Sequence, residues 1–509
     1  MKNNFLKKYG FYLILSAVTL SHLVFVLCFS GVRSLWYDDI YQLFFTWNRS
    51  FIDSMNVVMR VDLNPPLWAV ITHLWLKIAP YGTFWLKFPS VILVSATVFV
   101  VGLAGKELSS KKAGIIAAIF MALSPFATLE CAYTFRAYGL YIFAAAFLAY
   151  AYVKKLKEQS IKNRIIFAVA IFLIAFTHYF GAFMCVFLGF FDLILAIFKK
   201  QKANFFIEYV SVASLELLWF VPQLTTISSA LKAFWPPKPQ LKYFFDLFKT
   251  LMFDSVTLAF IYPVAIAFFI TFIIIKHKSI KKILASLLSY KGFCELVFMS
   301  VPVLMVFTIF VYSNLKPESS VWVYRYFASM VPMIFLFTAS ALITFYDFFK
   351  EKLKLVSIIS TIVAVIILVG AFVPNYVINV TGEMKKEYEP FEQAAEIIMS
   401  QPEIKEGEKV LIINTTNCSG GWVYYLSQNN TVDLNNIRLL DLEEYQRNGA
   451  TVSSYILDEF LEYDTIFLYI EHVDTTFVPS KIREGIAQTH VEEIIDGSRR
   501  IYKYVRKTV

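Results

Sequence analysis

The sequence predicts a polytopic α-helical membrane protein of about eleven transmembrane helices, followed by a small extracytoplasmic α/β domain. Three observations lead there. The 509 residues are 58% hydrophobic and 17% charged, whereas soluble domains are about 45–50% apolar and about 25% charged. Apolar runs of about 20 residues recur down the chain, each long enough as a helix to cross a hydrocarbon core of about 30 Å. From about Pro374 the composition turns polar and ordinary, and helix-like stretches alternate with strand-like ones.

The apolar runs cover residues 11–30, 84–104, 113–129, 137–153, 165–178, 181–198, 205–226, 256–275, 293–313, 324–346 and 355–373. Lys2, Lys7 and Lys8 precede the first run, and Gly31-Val32-Arg33 follows it in place of a small-x-small cleavage site. A retained signal anchor is expected. Basic residues mark five loops: Lys106, Lys111 and Lys112; Lys154 to Arg164; Lys199, Lys200 and Lys202; Lys276 to Lys291; and Lys350, Lys352 and Lys354. With the N-terminus cytoplasmic, all five fall inside, as positive charge on short loops requires. Counting residues 65–80 as a further span would put loops 105–112 and 154–164 outside. That stretch also contains His73 and Lys77. It is therefore expected to be an amphipathic helix on the outer surface, with Trp68 and Trp75 at the interface.

The net charge of +9 is spread in short clusters between apolar runs. Nucleic-acid binding calls for a basic domain or stripe, which this pattern excludes. The five cysteines, Cys28, Cys131, Cys185, Cys294 and Cys418, fit neither a disulfide framework nor a CxxC metal site. His22, His73 and His178 lack metal-ligand spacing, so no metal is expected. Residues 1–373 read as the membrane domain, with a first external loop at 31–83, and residues 374–509 as the soluble domain. Within the latter, Phe391–Ser400 and Val452–Leu461 read as helices. Lys409–Asn414, Thr465–Ile470 and Arg500–Tyr504 read as strands, and Ser419-Gly420-Gly421 as a turn.

Chemistry-bearing residues gather in the outer segments. Asp38 and Asp39 follow the first span. Adjacent carboxylates at a membrane surface are costly unless solvated or used, and a pair can have its pKa values pushed apart so that one serves as a base. A helix cap is the plainer use of such a pair. Asp62 and Asn64 precede Pro65 and Pro66, where Asn64 could cap the surface helix. Arg136 with Tyr138, and Arg325 with Tyr326, lie at outer span ends, against the trend for basic residues. A guanidinium there can fork onto a phosphate or snorkel to headgroups. His178 and Tyr179 occupy an outer turn, where the imidazole can bond a helix end or position a substrate phosphate or acceptor.

These stretches resemble the bacterial members of the protein O-mannosyltransferase-like GT-C glycosyltransferases (glycosyltransferase family 39). Trp36-Tyr37-Asp38-Asp39 resembles the acidic pair of that family's first external loop, usually Asp-Glu. Asp62-Leu63-Asn64-Pro65-Pro66-Leu67-Trp68 resembles its His-Pro-Pro-Leu-Tyr stretch. Phe88-Pro89-Ser90, Ser124-Pro125, Phe135-Arg136-Ala137-Tyr138, Thr177-His178-Tyr179-Phe180-Gly181 and Tyr324-Arg325-Tyr326 follow in the family's order. Asp39 in place of Glu keeps the charge on a shorter arm, and Asn64 in place of His removes a titratable group.

The resemblance implies transfer of a sugar from a polyprenyl phosphate to a glycan, lipid or protein acceptor at the outer leaflet, with inversion. It casts Asp38 as general base and Asp39 as the residue that positions it or binds the acceptor. Arg136 and Arg325 would bind the donor phosphate, and Asp62, Asn64, Tyr138, His178, Tyr179 and Tyr326 the substrate. A fixed arginine can stand in for a metal, so no cofactor is implied. A glycolipid flippase or transporter is the competing reading. It would place charges near mid-membrane and show repeat halves, and no repeat is visible.

Overall fold

Runs of Leu, Ile, Val, Phe and Ala with few breakers become helices in lipid because each backbone N–H must find a carbonyl within its own segment. A computed structural model describes residues 2–199, 206–232, 236–277, 279–315, 320–350, 366–386, 391–415, 419–428, 432–442, 460, 462–470, 480–496 and 501–507. Among them, eight helical stretches are long and apolar enough to cross a membrane: Lys8–Phe29, Thr83–Leu108, Tyr138–Lys157, Tyr179–Lys199, Ile207–Leu231, Val256–His277, Tyr290–Leu315 and Met330–Lys350. Two further expected crossings are shorter helices, Lys111–Ala122 of 12 residues and Ile161–Ala175 of 15. The last expected crossing, 355–373, lies mostly outside the described residues. Its described end forms the π-turn Leu368–Phe372 and runs into the helix Val373–Met384.

The chain divides into two units. The first contains Met1–Ser30, Met55–Ile71 and Lys87–Lys385. Its centre is the Tyr138–Lys157 helix, 72% buried over its most apolar window, while Ile207–Leu231 is 11% buried and leaves its apolar face for lipid. The fully buried Lys155 and Asp192 of this unit are paired, as burial demands. Lys155 Nζ lies 3.1 Å from Asp192 Oδ2, and the hydroxyls of Tyr152 and Tyr209 donate to the same carboxylate at 2.8 and 2.9 Å.

The second unit contains Gly31–Ser54, Thr72–Leu86 and Lys386–Val509. A linear split at 373/374 is therefore not how the chain packs. Residues 374–385 belong to the first unit, where Tyr376 is buried and shares a 2.9 Å hydrogen bond with Thr128. Most of residues 31–83 packs with the C-terminal region. Ser34 donates to Gln393 at 2.6 Å and Thr83 to Glu392 at 2.7 Å. The Gly82 N–H donates to the Tyr424 hydroxyl at 3.0 Å.

A five-stranded mixed sheet forms the core of the C-terminal part: β1 (Val410–Asn414), β2 (Ile437–Asp441), β3 (Thr465–Tyr469), β4 (His490–Asp496) and β5 (Ile501–Arg506), in the order β2-β1-β3-β5-β4. β1 pairs in parallel with β2 and β3, while β5 runs antiparallel between β3 and β4. β1 and β3 are buried along their whole length, as parallel central strands require. Leu411, Ile413, Ile466 and Leu468 share one core cluster. The three expected strands are present. β2 and β4, the edge strands, carry charges at Arg438, Asp441, Glu492 and Glu493, which hides them from an apolar pattern.

Ser419-Gly420-Gly421 is not a turn but the start of the helix Ser419–Leu426. A Cβ at Gly421 would sit 2.9 Å from the Phe391 ring and 3.3 Å from Ile40 Cδ1, so close approach explains that glycine. Phe391–Met399 is helical as expected. Almost all of Val452–Leu461 lies outside the described residues.

Candidate functional site

Pro66 and Pro65 set where the Leu67–Leu76 helix begins. Proline lacks an N–H and tolerates a first turn. At about 1.5 Å per residue this ten-residue helix is too short to span. Trp68 is not an interfacial anchor. It is 2% exposed, and its indole N–H donates to the Phe135 carbonyl at 3.1 Å, because a buried indole must bond its polar tip. That bond fixes the residue beside Arg136.

Just before this helix, Asp62 collects donors. Its Oδ1 accepts from the Leu63 N–H at 2.8 Å and from Asn64 Nδ2 at 3.1 Å, and Arg136 Nη2 lies 3.6 Å away. Asn64 thus ties the turn to Asp62 rather than capping the following helix. The Asp62 backbone carbonyl accepts from Gln223 Nε2 at 3.2 Å, and the same amide reaches the Val58 carbonyl at 3.2 Å. The Tyr179 hydroxyl donates to Gln223 Oε1. Gln223 is fully buried in a spanning helix, and that cost should have marked it in the sequence.

The second arginine has its own carboxylate. Arg325 Nη1 lies 4.0 Å from Glu130 Oε2, and its guanidinium carbon sits 5.6 Å from the Tyr138 ring centroid. Glu130 lies on the π-helix Ala127–Ala132, a form that often marks functional positions. Pro125 ends the preceding helix by removing a donor, and Ser124 Oγ accepts the Ala127 N–H at 3.3 Å to start the next turn. Glu130 was missed on the sequence, although it is an acidic residue in the same short connecting segment that carries Arg136.

His178 sits between the Ile161–Ala175 and Tyr179–Lys199 helices. A Cβ at Gly181 would lie 2.5 Å from the Ile174 carbonyl oxygen, so only glycine permits this tight return. The imidazole stacks on Tyr141 at 4.8 Å and packs against Tyr326 at 4.9 Å. The Tyr141 hydroxyl donates to Ser329 Oγ at 2.7 Å, which holds the stack in place. Asn64, His178, Tyr179 and Tyr326, with Thr308 and Tyr312, are the polar residues lining a 380 Å³ cavity whose other walls include Phe183, Phe220 and Ile309. Tyr179, Phe183 and Phe220 also border an 890 Å³ apolar cavity running along the Tyr179–Lys199 and Ile207–Lys232 helices.

Within the first unit, Asp62, Asn64 and Arg136 thus form one set. Arg325, Tyr138 and Glu130 form a second, and His178, Tyr179 and Tyr326 line the cavity. Asp38 and Asp39 belong to the second unit, in the first turn of the Tyr37–Thr46 helix. Asp39 is 1% exposed and its Oδ2 accepts the Trp36 N–H at 3.4 Å, while Asp38 is partly exposed. Asp39 thereby does the capping work and leaves Asp38 in reach of solvent.

No protein-family model matches the chain, and no curated protein matches it. Solved structures do. ArnT from Cupriavidus metallidurans in the apo state superposes with a TM-score of 0.57 at 11% identity, covering 98% of each chain. The same protein bound to undecaprenyl phosphate gives 0.53 at 11% identity, covering 97% of this chain and 98% of that one. This chain has the GT-C fold. At such low identity the likeness is one of architecture: a polytopic helical membrane part followed by a C-terminal domain. On this GT-C fold, both arginine sets and the cavity are built from residues of the membrane unit.

Proposed function

We propose that this protein is a membrane glycosyltransferase that moves a sugar from a polyprenyl-phosphate donor to an acceptor on the outer side of the membrane, by inverting displacement. The observation that carries the reading is the 380 Å³ cavity, whose lining combines Asn64, His178, Tyr179 and Tyr326 with apolar walls. A ligand with one polar head and a long apolar tail satisfies both parts, and the similar ArnT structure contains undecaprenyl phosphate.

In this mechanism Asp38 accepts the proton of the acceptor hydroxyl as its oxygen attacks the anomeric carbon. The anomeric carbon–oxygen bond to phosphate breaks, and its electron pair stays on the phosphate. Arg136 and Arg325 stabilise that charge as it develops. Asp39 holds the Asp38 helix turn in place. The N-terminus is cytoplasmic, the C-terminal domain is extracytoplasmic, and that domain helps select the acceptor.

The test is sugar transfer by purified protein from a polyprenyl-phosphate sugar, comparing wild type with Asp38→Asn. The reading expects transfer by the wild type and its loss in a folded variant. Movement of labelled lipid across vesicles without any transfer product would instead establish a flippase.

A further inference from the structure

His178 presents an unusually well-defined hydrogen-bonding state. Its Nδ1 accepts the Phe180 backbone N–H at 3.2 Å. A nitrogen that accepts carries no proton, so the ring is neutral and its hydrogen is on Nε2. That Nε2 is buried and has no hydrogen-bond partner among the described residues. The ring itself is 4% exposed and locked by its stacking on Tyr141. An unmade bond at a buried donor costs free energy, so a donor kept in this state inside a cavity wall is suited to a ligand that completes it.

We infer that His178 Nε2–H donates a hydrogen bond to a phosphate oxygen of a polyprenyl phosphate seated in the 380 Å³ cavity. This rests on the proposed donor chemistry and adds to it a specific atom. Apart from Thr308 and Tyr312, the remaining walls, including Phe183, Phe220 and Ile309, are apolar and suit an isoprenoid chain. A neutral donor suits an anionic ligand here. It adds a bond to an anionic oxygen without a further charge to be compensated when the site is empty.

The experiment measures binding of undecaprenyl phosphate, with no sugar attached, to purified full-length protein in micelles. Undecaprenol is the phosphate-free control. His178→Asn can still accept the Phe180 N–H but has no donor at the Nε2 position. His178→Gln reaches that position with an amide N–H. The expected result is an affinity loss of about 10- to 100-fold in His178→Asn, since a bond to a charged group is at stake. His178→Gln should stay within about threefold of wild type. Undecaprenol binding unchanged in both variants shows that the cavity is intact. Equal affinity of His178→Asn and wild type for undecaprenyl phosphate overturns the inference, as does an equal loss in both variants. Failure of the wild type itself to bind undecaprenyl phosphate overturns the donor chemistry, and this inference with it.

Discussion

Arg136 Nη2 lies 3.6 Å from Asp62 Oδ1, both side chains being largely buried at 13% and 9% exposure. The guanidinium is thus held by a carboxylate that also accepts from Leu63 and Asn64. Holding a cation this way fixes its position before substrate arrives, which is how charge stabilisation avoids reorganisation during reaction. Arg136→Gln keeps length and polarity but loses the charge. It should lower kcat/KM for a polyprenyl-phosphate sugar by about 10²-fold or more. A change of less than threefold would remove Arg136 from phosphate binding.

Truncating the partner has a different signature. Asp62→Ala leaves a buried guanidinium without its carboxylate and should destabilise the protein by about 3–5 kcal/mol. Asp62→Asn retains the acceptor oxygen for the Leu63 N–H and should cost less. Thermal unfolding in detergent distinguishes the two.

Asp38 and Asp39 should separate cleanly. Asp38→Asn is expected to reduce transfer by about 10²–10⁴-fold, the usual contribution of a general base, without shifting thermal unfolding. Asp39→Ala removes a helix-terminus acceptor and should lower stability by about 0.5–2 kcal/mol. Interchangeable effects of the two substitutions would contradict this division of roles.

His73 gives a pH dependence. It is 2% exposed, its Nδ1 is 3.0 Å from Ser54 Oγ, and burial, aided by the nearby Lys77, lowers its pKa despite an opposing bond at Thr46. The unfolded chain binds a proton near the ordinary histidine pKa of about 6.5, while the folded chain resists it to lower pH. Stability from this group is therefore fully present above about pH 6.5 and declines as pH falls through the lowered folded value. Unfolding temperatures between pH 7.5 and 5 should drop more in wild type than in His73→Asn. Parallel curves would show that His73 does not titrate differently on folding.

The proposed topology is tested with single cysteines at Glu158 and Glu408, both exposed. An impermeant maleimide added to intact cells should label Glu408→Cys and spare Glu158→Cys. Labelling of both from outside would refute a cytoplasmic N-terminus with an external C-terminal domain.

The sequence by itself determined the class of the protein. Runs of apolar residues long enough to satisfy their own backbone in lipid leave helices as the solution, whatever those helices pack against. The buried central strands β1 and β3 were legible for the same reason, since their signal is a local run of β-branched and aromatic residues. Arg136, Arg325 and His178 stood out because a charged or titratable group at a span end demands an explanation in any fold.

Tertiary structure alone decided which residues face each other. That Trp68 bonds the Phe135 carbonyl, that Glu130 answers Arg325, and that Gln223 ties down the Asp62 turn are pairings across 67, 195 and 161 positions. No local pattern encodes partners at that separation. The same holds for Gly421, whose closeness to Phe391 and Ile40 exists only after three distant segments pack. Periodicity reports which face of an element is apolar. It does not report what that face meets, and both the arginine–carboxylate pairs and the state of the His178 ring are set by what they meet.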